Sequence, residues 1–76
     1  MKLFICNDDV NSFDHVINII QRCLSYPYMQ ACSIADIVHN NGECLVKTDE
    51  DDSVIIELYD KLKENGLTVR VGDEKN

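Results

Sequence analysis

The stretch that decides the fold is Lys2-Leu3-Phe4-Ile5-Cys6-Asn7-Asp8-Asp9-Val10-Asn11-Ser12-Phe13-Asp14-His15-Val16-Ile17. Its first five residues are a short β-prone run that stops abruptly at Asn7-Asp8-Asp9, so Lys2–Cys6 is expected to be a strand. A helix is expected to open at Asn11-Ser12-Phe13-Asp14. Asn11 can cap it, and Asp14 three residues later suits both a capping box and the positive end of the helix dipole. From there apolar residues recur at Phe13, Val16, Ile17, Ile20, Cys23 and Leu24, the spacing of a buried helix face. A strand followed at once by an amphipathic helix makes this an α/β chain.

Reading outward, Ser25-Tyr26-Pro27 breaks the first helix, and Pro27 is well placed as the first residue of a second. Tyr28, Ala31, Cys32, Ala35, Val38 and His39 fall on one face of that helix. Asn40-Asn41-Gly42 stops it, with Gly42 able to take a left-handed cap. Cys44–Lys47 reads as a second strand. Thr48 with Asp51 forms another capping box, and Asp49–Asp52 sets acidic residues at the positive end of a third helix. Val54, Ile55, Leu58 and Leu62 give that helix its apolar face, and Asn65-Gly66 ends it. Leu67, Val69 and Val71 alternate with Thr68 and Arg70 as a half-buried third strand. Gly72–Asn76 is a polar tail expected to fray.

The expected order is β-α-α-β-α-β. It gives a two-layer α/β sandwich, a three-stranded antiparallel sheet with three helices. The 76 residues suffice for one domain, 1–76, and not for two cores.

Composition then narrows the function. Fourteen acidic residues against seven basic ones give a net charge of −7, so no basic surface exists to neutralise phosphates. This argues against nucleic acid and anionic membranes as partners. Cys6, Cys23, Cys32 and Cys44 form no C-x-x-C pair and lie in apolar periodic segments, as expected of buried reduced thiols. Leu3–Cys6 is too short for a signal peptide's apolar region, and a cytosolic protein is expected.

Two polar clusters remain. Asn7-Asp8-Asp9 sits at a strand–helix junction, where side chains project from a sheet edge. His39 shares a helix face with Ala35 and Val38 through i+3 and i+4 spacing. Turn chemistry and helix capping would account for each alone.

Taken together, the two clusters closely resemble the ClpS adaptor family. Asn7 to Val16 matches the family pattern N-D-[DE]-x-T-x-x-x-[FH]-V, with Asn11 in place of Thr. Ala31 and then Val38-His39-Asn40-Asn41-Gly42 match A-x(6)-V-H-x-x-G. The form Val10-Asn11-Ser12-Phe13-Asp14-His15-Val16-Ile17 is most similar to variants of the Bacteroidetes type. The likeness runs over nearly the whole chain.

The resemblance implies an adaptor, not an enzyme. It would bind proteins that begin with Leu, Phe, Tyr or Trp (N-degrons) and pass them to a ClpA- or ClpC-type unfoldase with its ClpP protease. It implies that Asn7, Asp8 and His39 take the free α-amino group, a cation with three donors that needs clustered acceptors. Asp9 and Asn11 would meet the peptide backbone. Phe13, Val16, Ala35, Val38 and Leu67 would line the pocket for the first side chain. Members often carry Met at the positions of Phe13 and Ala35, so here one wall becomes a rigid ring and the other open space. Many members also carry a flexible arm before the first motif, whereas only Met1–Cys6 precede Asn7 here. No cofactor or metal is implied.

Two other classes fit the composition less well. Asp8, Asp9 and His39 would make a small metal-dependent enzyme only with an acidic ligand from a second strand and a parallel sheet. A scaffold, or a decoy that binds without delivering, would share the fold and differ only in outcome.

Overall fold

The computed structural model describes residues 1–72. Its order is β1 (Lys2–Cys6), α1 (Phe13–Leu24), α2 (Tyr28–Asn41), β2 (Glu43–Thr48), α3 (Asp52–Glu64) and β3 (Thr68–Gly72). The expected α/β sandwich is therefore what forms. β1 is the central strand, antiparallel to β2 on one side and β3 on the other. A register shift between Leu3 and Phe4 marks an irregularity against β2.

β1's alternation separates the sheet's two faces. Leu3 and Ile5 join the core with residues from all three helices, Ile17, Ile20, Ile34, Ile55 and Leu62 among them. Phe4 is buried outside that cluster, beneath the Arg70 guanidinium 4.0 Å from its ring centroid. Ile19 is also core, because α1 lies between the other helices and needs a wider apolar arc than its repeat suggested. Tyr26 ties the α1–α2 hinge to the sheet by donating its hydroxyl to the Val46 carbonyl. No helix among the described residues is long and apolar enough to cross a membrane.

Several boundaries differ from the expectation, each for a local reason. Ser12, not Asn11, caps α1: its hydroxyl accepts from the His15 N–H at 3.1 Å, while the Asn11 side chain donates to Asp8 and to the distant Gly66 carbonyl. Pro27 is the cap of α2 rather than its first residue, because its ψ of 158° is extended. Tyr28 is exposed in that helix's first turn instead of packing on its apolar face, and Ile34 fills the face. Thr48 belongs to β2, so the α3 cap falls to Asp51, whose carboxylate accepts from the Ser53 N–H and hydroxyl. β2 is one residue longer at each end than Cys44–Lys47. Leu67 precedes β3, its N–H donated to the Leu62 carbonyl. The four cysteines are free, but half-buried rather than buried. Of the expected frayed tail, Gly72 closes β3, and 73–76 lies outside the described residues.

Candidate functional site

The C-terminus of α2 is built to meet the end of β1. Gly42 takes the left-handed conformation, φ 94°, and its N–H returns to the Val38 carbonyl at 3.0 Å. This closes the helix and turns the chain sharply into β2. The Gly42 carbonyl then accepts the Asn7 N–H at 2.8 Å. One backbone bond therefore joins the two sequence clusters and holds the end of β1 against the end of α2 that carries His39.

Between them opens a cavity of about 240 Å³. Phe13, Val16, Ala35 and Val38 form its apolar walls; Asn7, Asp8, Asp9, Asn11 and His39 form its polar rim. That volume is below the ~300–1,000 Å³ of drug-sized sites, and it suits a single side chain. Ala35 and Val38 are buried, Val16 half-buried and Phe13 44% exposed, so Phe13 stands at the mouth. Its ring meets the His39 ring edge-on, centroids 6.5 Å apart at 85°. Nine of the ten residues singled out from the sequence thus share one cavity. Leu67 does not line it; it is 4% exposed in the core beneath β3.

The polar rim divides by what is already bonded. Asp8 is fully engaged. One carboxylate oxygen accepts the Val10 and Asn11 N–H groups, both at 2.9 Å. The other accepts the Asn11 side-chain amide at 2.9 Å and the Thr68 hydroxyl at 2.8 Å. These donors, the Asn11 N–H foremost, hold the Asp8 carboxyl down at about 2 against the opposing effect of burial, so it is an anion at neutral pH. Asn7, Asp9 and His39 differ: among the described residues their side chains have no hydrogen-bond partner. Asn11 uses its N–H groups on Asp8 and the Gly66 carbonyl, which leaves its side-chain oxygen as an acceptor.

Chemically, this is an apolar socket with a fixed anion and unfilled acceptors on one side. A ligand combining a cation with an adjacent apolar group would satisfy both. No three His, Cys, Asp or Glu side chains among the described residues are grouped as a metal would require. Sequence reasoning missed Thr68, which reads as an ordinary strand residue. Its hydroxyl reaches a partner sixty positions earlier, which no local pattern signals.

A family model described as "ATP-dependent Clp protease adaptor protein ClpS" matches residues 1–70. No match was found among curated proteins.

Proposed function

The chain belongs to the ClpS family of Clp protease adaptors, and from that premise we propose that it captures N-degrons, proteins with a free α-amino group followed by Leu, Phe, Tyr or Trp. The observation that carries this reading is the cavity itself, where apolar walls meet a fixed anion and three side chains, Asn7, Asp9 and His39, that have no hydrogen-bond partner among the described residues. The α-ammonium donates to the Asn7 side-chain oxygen and to a neutral ring nitrogen of His39, with Asp8 supplying the opposite charge. Asp9 and the Asn11 side-chain oxygen face the first backbone N–H groups of the peptide. The first side chain enters between Phe13, Val16, Ala35 and Val38.

Magnitudes support the assignment. Each charge-assisted hydrogen bond contributes ~1.5–3 kcal/mol, and burial of a Leu or Phe side chain another ~1.5–3 kcal/mol. Association and ordering cost at least ~4 kcal/mol. The side chain alone does not offset that cost and the amine alone barely does, so the two bind appreciably only together.

Delivery to a ClpA- or ClpC-type unfoldase with ClpP completes the proposed role. The test couples binding to turnover: a Leu-initiated fluorescent substrate is offered to such an unfoldase–protease pair with and without this chain. Accelerated degradation is expected for the Leu-initiated substrate and not for its Met-capped form. Tight binding with slowed degradation would instead identify a decoy.

A further inference from the structure

The residues that shape the recognition loop are not all on the cavity: Asn11 stands on its rim, but Thr68 of β3 does not line it. Two of the bonds on Asp8 are local, the Val10 and Asn11 N–H groups closing a tight Asx turn. The other two reach the second carboxylate oxygen from side chains, Asn11 and Thr68. Asn11 also donates to the Gly66 carbonyl at 2.8 Å. The His15 ring nitrogen Nε2 lies 3.1 Å from the Asn65 carbonyl. The loop after β1 and the first turn of α1 are thus fastened to the α3–β3 connection, residues 65–67, and to Thr68 at the start of β3.

An ionised carboxylate offers about four lone-pair positions, and here four donors occupy them. A ligand ammonium finds no open position on Asp8 without displacing one of the donors.

We propose that Thr68 and Asn11 are positioning residues of amine recognition. By filling Asp8's second oxygen they fix the Asn7–Asn11 loop in its binding shape, so Asp8 acts on the ammonium through its charge while Asn7 and His39 make the direct contacts. The Thr68 hydroxyl is the informative member, because a solvent-exposed position in β3 would accept any β-branched residue. This proposal rests on the N-degron reading above.

The test uses the full chain carrying Thr68→Val, which keeps the branched shape, and Thr68→Ser, which keeps the hydroxyl. Titration with a Leu-initiated peptide is expected to show at least ~5-fold weaker binding by Thr68→Val, the equivalent of one ~1 kcal/mol hydrogen bond. Thr68→Ser should stay within about twofold of wild type, a rescue that a packing role for residue 68 would not produce. Without peptide, hydrogen exchange at the Val10 and Asn11 amides should quicken in Thr68→Val alone. A wild type that binds beside a Thr68→Val that binds equally overturns this proposal and leaves the N-degron reading intact. Equal losses in the Val and Ser variants also overturn it. A wild type that binds no free-amine peptide overturns the N-degron reading and this proposal with it.

Discussion

Phe13 stands at the cavity mouth with 44% of its surface exposed and its ring edge-on to His39, so truncating it to alanine perturbs both the gate and the fold by calculable amounts. A fully buried Phe side chain contributes ~1.5–3 kcal/mol, and a little over half of this one is covered. Adding part of the ~0.5–1.5 kcal/mol of an aromatic contact, Phe13→Ala should cost the fold ~1–2 kcal/mol. That is a fall of roughly 5–15 °C in Tm for a domain this small. Selectivity should change in the opposite sense. A β-branched Ile or Val carries its extra carbon where the rigid ring crowds the mouth, and cannot rotate it away. Wild type should therefore discriminate against Ile and Val relative to Leu by at least ~1 kcal/mol, about fivefold, an overpacking cost. Phe13→Ala should erase most of that ratio even as overall affinity drops. Ala35→Met is the companion variant: Cγ, Sδ and Cε added to the wall of a cavity of about 240 Å³ should weaken Trp-initiated peptides more than Leu-initiated ones. Fluorescence anisotropy with Leu-, Ile-, Val- and Trp-initiated peptides reads all of these. A wild type that binds Ile as tightly as Leu, or a Phe13→Ala variant with an unchanged ratio, would refute the gating argument.

Three further outcomes follow from the same geometry. His39→Ala removes one of the acceptors assigned to the ammonium and should weaken a Leu-initiated peptide at least ~10-fold, the loss of one charge-assisted hydrogen bond, read by anisotropy. The Asp8 carboxyl is lowered in the fold to about 2 by its bound donors. A group depressed on folding stabilises fully above its unfolded value and loses that contribution as pH falls through its folded one. Acid unfolding followed by circular dichroism should therefore show an Asp8-dependent loss between pH ~4 and ~2 that is absent in Asp8→Asn. Leu62, with no exposed surface in the core, should cost ~2–5 kcal/mol on replacement by alanine, measured as a lower denaturant midpoint at unchanged slope.

The fold was legible because its signals are local. The break at Asn7-Asp8-Asp9, the 3.6-residue repeat after it and the Gly42 stop each act within a few residues, and all six elements appear in the expected order. Boundaries were less legible where two residues compete for one role. Asn11 and Ser12 both suit an N-cap, and the choice was made by the distant Gly66 carbonyl, which engages Asn11 and leaves the helix to Ser12. Thr48 and Asp51 differ likewise, since β2 pairs through Thr48 with Lys2 before α3 can begin. The cavity's residues were read from two motifs, but the bond joining those motifs, Asn7 N–H to Gly42, is tertiary and invisible to spacing. Leu67 shows the limit of that reading: an apolar residue beside a turn is equally suited to core or pocket, and the Leu67 N–H bond to Leu62 turns it into the core.

The central claim is that a free α-amino group and its neighbouring side chain are recognised together. The most direct measurement is a titration of wild type with one Leu-initiated peptide in two forms, its N-terminus free or acetylated. Acetylation removes the charge and two of the three donors while leaving the Leu side chain unchanged. The free form should bind, and the acetylated form at least ~10-fold more weakly, a difference of ~1.4 kcal/mol or more. Equal affinity for the two forms would contradict the account.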